Sequence, residues 1–144
     1  MHIPFCRQAC TYCNFHFTTS LRYKDEMVRA LGLELLAEKD YLQGETVNTI
    51  YFGGGTPSLL SIEDLHGLLA ATRRVYPVAP DAEITLEANP DDISSDRLKA
   101  WLKPDWRNWL TCCTDKAISN GYPASEYWVW SLWNWVNDPP EGFR

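Results

Sequence analysis

The chain is 144 residues long, the length of one ordinary domain, and its 45% hydrophobic and 22% charged residues are the composition of a globular protein. A net charge of −6 excludes a broad nucleic-acid footprint, which needs clustered Lys and Arg. No run of about 18 apolar residues is present, so no membrane span is expected.

Residues 1–19 read as a loop that carries three of the five cysteines, Cys6, Cys10 and Cys13. The N-terminus lacks the basic-then-apolar pattern of a secretory signal. An odd cysteine count with such tight spacing points to metal in a reducing compartment rather than to a disulfide framework, and hence to a cytoplasmic protein. A helix is predicted from Ser20, as N-cap, to about Leu42, with Met27, Leu31 and Leu35 on one stripe and Gly44 as the stop. Residues 46–52 are β-branched and aromatic and run into Gly53-Gly54-Gly55, a buried strand entering a tight loop. The next helix spans about Ile62 to Tyr76, with Ser61 and Asp64 as a capping box and Leu65, Leu68 and Leu69 as its apolar face. Pro77 and Pro80 end it. A strand over 82–88 stops at Asn89-Pro90, and Ser94 or Ser95 starts a short helix through about Leu102. Strands alternating with helices at this spacing predict parallel βαβ units, whose functional loops lie at the C-terminal ends of the strands. The GGGTP loop and the corner at Glu87 both occupy that position.

After Lys103 the pattern changes. Six of the seven tryptophans fall in the last forty or so residues, together with the vicinal pair Cys112-Cys113, and no period of 2 or 3.6 is sustained. This stretch is read as breaking the β/α alternation, and the vicinal cysteines have no partner at metal spacing.

Cys6-x3-Cys10-x2-Cys13 carries the chemistry. Soft thiolates select iron–sulfur or zinc over hard cations. Structural zinc draws four protein ligands, and His2 or His16 is near enough in sequence to be the fourth. Three thiolates on a four-iron cluster leave one iron open to a cofactor or substrate. Both readings, and a chance grouping of free cysteines, stand on the residues, with the cluster the better fit to three ligands.

Residues 2–17 (HIPFCRQACTYCNFHF), 53–60 (GGGTPSLL) and 84–90 (ITLEANP) resemble the radical S-adenosylmethionine (SAM) proteins of the coproporphyrinogen-oxidase-like group, nearest to its haem chaperone subgroup, HemW. The resemblance covers about residues 2–103. It implies an α/β fold, the first three or so units of a partial radical SAM (β/α) barrel; residues 104–144, where the resemblance ends, read as an irregular, divergent Trp-rich tail, frameshifted or otherwise unrelated. It also implies that Cys6, Cys10 and Cys13 hold a [4Fe–4S] cluster, and that SAM bound at the open iron is cleaved to methionine and a 5′-deoxyadenosyl radical. By position, Tyr12 would lie near the adenine, the backbone of Gly53, Gly54, Gly55 and Thr56 would receive the SAM ammonium, and Glu87 would bind ribose hydroxyls. Without the resemblance, Tyr12 reads as a loop aromatic, the glycines as a strand-to-helix turn or a phosphate loop, and Glu87 as a solvated or capping carboxylate. His2 matches a family position near the cluster and reads equally as a hydrogen-bonded loop histidine. Asp91 and Asp92 read as turn and helix-start residues, and His66 as a surface residue.

Oxidases of the HemN type usually carry one more cysteine two residues past the third. Here that residue is Phe15, which favours the chaperone side. Family members also have more first strand before the His-Ile-Pro-Phe-Cys run and further motifs after the third helix, so a truncated member is expected. The partners implied are SAM, haem or a porphyrinogen, and an electron donor protein. Oxygen-independent coproporphyrinogen III dehydrogenase is the alternative activity. A non-catalytic metal-binding remnant is the alternative of another class.

Overall fold

The computed structural model describes residues 1–11, 13–101, 108–112 and 129–131. In chain order these form β1 (His2–Ile3), α1 (Lys24–Ala37), β2 (Val47–Gly54), α2 (Ile62–Val75), β3 (Val78–Ala88), α3 (Ser95–Trp101), β4 (Asn108–Cys112) and β5 (Val129–Ser131). Short 3-10 helices follow β2 (Pro57–Leu59) and β3 (Pro90–Asp92). The sheet runs β1-β2-β3-β4-β5; the first four strands are mutually parallel and β5 is antiparallel to β4. Parallel strands that keep chain order, joined by right-handed crossovers, bring successive helices onto one face. The contact between α1 and α2 agrees with that arrangement. It is the sense of a β/α barrel rather than of a doubly wound sheet, which places helices on both faces.

The core follows from the side-chain periods. Ile50 and Phe52 of β2 and Ile84 and Leu86 of β3 meet Leu65, Leu68 and Leu69 of α2, and Trp101 at the end of α3 is wholly buried with them. The Arg97 guanidinium lies 5.1 Å from the Trp101 ring centroid. α2 begins as its sequence predicts: the Asp64 amide donates to Ser61 Oγ (3.0 Å) and the Ser61 amide donates back to Asp64 Oδ2 (3.2 Å).

Four boundaries depart from expectation. α1 starts at Lys24 rather than after Ser20, because the hydroxyls of Thr18 and Ser20 accept from the amides of Ser20 and Arg22 and hold this stretch in turns. It ends at Ala37, five residues short of Leu42, where i→i+3 bonds from Tyr41 to Glu38 and from Gln43 to Asp40 replace the helical ladder. β3 begins at Val78, so Pro80 lies within the strand. The stretch after Lys103 does continue the alternation by one unit, since Asn108–Cys112 pairs parallel with Ile84–Ala88. Its five residues are too few to show a sustained period in the sequence.

Candidate cofactor site

The cysteine loop leaves β1 from a fixed point. Ile3 and Phe5 are buried in the core, and the loop closes where it opened: the Cys6 amide donates to Thr18 O (2.9 Å) and the Thr18 amide to Pro4 O (2.7 Å). Within it the Cys13 amide donates to Cys10 O (3.2 Å), a turn that folds the second and third cysteines towards one another. Cys6, Cys10 and Cys13 are free thiols, all half-buried. Phe15 is 74% exposed and takes no part in the loop's packing. Tyr12 lies outside the described residues, as does Cys113.

The glycine turn, at the C-terminal end of β2, is built against this loop. The amides of Gly53, Gly55 and Thr56 donate to the carbonyls of Met1 (3.1 Å), Ile3 (2.8 Å) and Phe5 (2.7 Å), and the Gly54 amide donates to Glu87 Oε2 (2.9 Å). All four donors are therefore engaged, and the turn has none left to cradle a phosphate. That removes the phosphate-loop reading. The glycines are required for different reasons. At Gly55 a Cβ would stand 2.6 Å from Phe5 O and 3.0 Å from Cys6 Sγ, so only glycine lets the cysteine loop lie this close. At Gly54 φ is +117°, and a Cβ would meet the His2 ring at 2.4 Å. His2 thus covers the turn.

Glu87 lies one residue before the end of β3 beside this turn, at the register position one beyond the pairing of Phe52 with Leu86. Its Oε1 accepts from the Tyr51 hydroxyl (2.5 Å) and its Oε2 from Gly54. A carboxylate offers about four lone-pair sites. Two are taken here, and the half-buried group keeps capacity for a ligand's N–H or O–H. Glu87 stays partly open while its strand neighbours Ile84 and Leu86 are buried. Thr85, two residues before Glu87, is buried as well.

Electrostatics at Cys6 bear on what the loop binds. Burial pushes its thiol up from the ordinary value; the Thr56 hydroxyl, 3.6 Å from Sγ, pulls it down in part, and the neighbouring Cys13 and Cys10 push it up again. The raised Cys6 thiol thus stays protonated until a cationic centre takes it as thiolate, and that binding releases its proton. Among the described residues no three His, Cys, Asp or Glu side chains converge as they would on a single metal ion. A cluster spreads its ligands over separate irons, so three soft donors set apart on a glycine-backed loop fit it.

Residues 1–108 match the family model of the Radical SAM superfamily. The chain belongs to that superfamily. It is 46% identical over 99 residues to the haem chaperone HemW of Escherichia coli K12, covering 67% of this chain and 26% of the relative. It is 36% identical over 106 residues to an oxygen-independent coproporphyrinogen III oxidase of Bradyrhizobium diazoefficiens, covering 69% and 23%. Among solved structures, coproporphyrinogen III oxidase (HemN) of Escherichia coli superposes with a TM-score of 0.69 at 28% identity, covering 77% of this chain and 26% of that one. The chain therefore spans about a quarter of the length of these relatives. The family implies a [4Fe–4S] cluster and SAM, and the partial β/α fold agrees with it. Among the described residues no helix is long and apolar enough to cross a membrane.

Of the residues singled out in the sequence, the structure brings Cys6, Gly53, Gly54, Gly55, Thr56 and Glu87 together at the ends of β1, β2 and β3, with Cys10 and Cys13 on the loop above. Three features went unread. Tyr51 donates to Glu87, and alternation along β2 signalled it, since Tyr51 faces opposite to Ile50 and Phe52. His66 is half-buried, not a surface residue. Asp92 is no simple turn residue: its carboxylate is buried and bonds to Arg7 and Ser58. Nothing local signals that contact, because Arg7 and Asp92 are 85 residues apart.

Proposed function

We propose that this chain binds a [4Fe–4S] cluster through Cys6, Cys10 and Cys13 and SAM beside it, in a haem-related role of the chaperone type. The observation that carries the proposal is the juxtaposition of Cys6, the glycine turn and Glu87. With its amides taken, the turn offers acceptors, which suit the SAM ammonium rather than an anion. Glu87 adds a carboxylate for the same ammonium or for ribose hydroxyls, and Tyr12 is assigned to the adenine. Cluster and SAM together supply reductive cleavage of SAM, with the electron from a donor protein. The chain's own part is to orient SAM and to limit water at the loop, which His2 and the closed Cys6–Thr18 ring support.

Haem is proposed as the cargo because the relatives of higher identity are named haem chaperones and because Phe15 stands where oxidases carry a further cysteine. The radical SAM core is assigned to residues 1–103 and a divergent tail to 104–144. The family match ends at residue 108, a little past that division, and β4 still pairs with β3 beyond it; resequencing the locus tests the assignment. A cytoplasmic location belongs to the same reading.

Anaerobic reconstitution with iron and sulfide, followed by SAM under reducing conditions, tests the assignment. The expected outcome is a brown protein that releases 5′-deoxyadenosine and methionine, and that takes up haem in a titration. Release of 5′-deoxyadenosine with decarboxylation of a coproporphyrinogen would assign the oxidase activity instead. A colourless protein holding one zinc would overturn the reading, and a loaded cluster without SAM cleavage would leave a metal-binding remnant.

A further inference from the structure

Three pieces of the site meet at one buried side chain. The Asp92 carboxylate is 1% exposed. Its Oδ1 accepts from Arg7 Nη2 (2.5 Å) and its Oδ2 from Ser58 Oγ (2.7 Å). Arg7 is the residue after Cys6, inside the cysteine loop. Ser58 follows the glycine turn, is itself buried, and its Oγ accepts from the Asn89 amide at the end of β3 (3.1 Å). The Ser58 carbonyl in turn accepts from Arg97 of α3 (2.5 Å). One carboxylate thus ties the cysteine loop to the glycine turn and to the strand end that carries Glu87.

A turn residue placed as Asp92 is has no need to be buried, and a buried carboxylate without a counter-ion is strongly unfavourable. Arg7 supplies that counter-ion. Its side chain is 59% exposed, yet its guanidinium turns inward to Asp92 instead of out to water. Two fixed hydrogen bonds from Arg7 and Ser58 place a short loop segment more firmly than packing does, because the cysteine loop between Arg7 and Phe17 has no buried side chain among its described residues.

We propose that Asp92 is a positioning residue for the iron–sulfur loop, acting through Arg7 to hold Cys6 and the start of the loop in cluster-binding register against the glycine turn. This rests on the cluster reading above. The pair also sets charge near the cluster: Arg7 without Asp92 is a free cation beside the thiolates, and Asp92 without Arg7 is a free buried anion.

The test uses the full chain, reconstituted anaerobically, as wild type, Arg7→Gln, Arg7→Lys, Asp92→Asn and the double variant Arg7→Gln/Asp92→Asn. Iron release to a chelator and the midpoint potential of the cluster are measured. Arg7→Gln and Asp92→Asn are each expected to release iron at least about tenfold faster, the size typical of lost outer-shell support. Their potentials are expected to move in opposite directions, lower for Arg7→Gln and higher for Asp92→Asn. The double variant should return towards the wild-type potential while still releasing iron fast, and Arg7→Lys should recover much of the slow release. A merely structural tie would move stability alone and give no opposite signs. Circular dichroism identifies any variant that fails to fold, and Arg7→Gln alters a mostly exposed side chain, so that arm stays readable. Wild-type release rates and potentials in both single variants would overturn the proposal while leaving the cluster reading intact. A wild-type chain that takes up no iron and sulfide would overturn both.

Discussion

α1 and α2 are both 14 residues long, yet they are held in different ways. α2 has a complete capping box and buries Leu65, Leu68, Leu69, Ala71 and Thr72, with Arg73 and Arg74 in its last turn suiting the helix dipole. α1 has no side-chain cap, buries no residue fully, and exposes Leu33 and Leu36. Each helix follows one half of the site. The glycine turn leads through Pro57–Leu59 into α2, so packing of α2 against β2 and β3 fixes it. The cysteine loop leads into α1, whose packing fixes little. It is held instead by polar ties: to Thr18 and Pro4, to the glycine turn through Thr56 and Gly55, and to Asp92 through Arg7. On the proposed reading, the site has a rigid half that would receive SAM and a tethered half that would receive the cluster.

Cutting into the core under α2 is the strongest way to break this contrast. Leu69→Ala is expected to destabilise by about 2–5 kcal/mol in a denaturant titration, whereas Leu36→Ala on α1 should stay within about 0.5 kcal/mol. Equal losses would remove the contrast. Next, Gly54→Ala places a Cβ at φ +117° against the His2 ring and should cost about 1–3 kcal/mol. The cysteine loop should loosen with it, read as faster amide exchange at Cys6, since the turn and the loop share their hydrogen bonds. Ser61→Ala removes the cap of α2 and should cost about 1 kcal/mol; no comparable loss is expected from Ser20→Ala, because Ser20 does not cap α1.

The smallest effect is a pH dependence. Burial works against the charge on Asp64, but the Lys24 ammonium and the Ser61 hydroxyl and amide outweigh it and hold its carboxyl below the ordinary 3.8. Burial likewise works against the charge on Lys24, and its contacts with Asp25 and Asp64 raise it above the ordinary 10.5. A depressed carboxyl contributes stability that is present above 3.8 and lost as pH falls through its lower folded value. A raised ammonium contributes stability below 10.5 that is lost as pH rises through its higher folded value. The pair joins α1 to the first turn of α2, is partly exposed, and contributes under about 1 kcal/mol. Stability should therefore fall slightly at the acid end in the wild type, and less in Lys24→Met. An identical acid limb in both would show that the pair contributes nothing.

How much of this was legible in the sequence follows the same division. α2 was readable because its signals are local and agree: a capping box, an apolar stripe and a proline after the end. α1 was misplaced at both ends because Ser20 and Gly44 are valid signals that neighbouring turns override, and its weak stripe could not arbitrate. The cysteine spacing and glycine run were legible because ligand chemistry and backbone geometry restrict which residues serve there. Glu87 was legible as a strand-end carboxylate, whereas its engagement by Tyr51 and Gly54 was not. β4 was hidden by its short length, and the Arg7–Asp92 tie by a separation no local pattern spans.

On the proposed function, the cysteine loop and the glycine turn form one site for a cluster with SAM beside it. The most direct test is the electron paramagnetic resonance spectrum of the anaerobically reconstituted, reduced protein, recorded before and after SAM is added. The expected spectrum is a [4Fe–4S] signal whose shape changes on adding SAM. A protein with no iron–sulfur signal, or with one that SAM leaves unchanged, would contradict it.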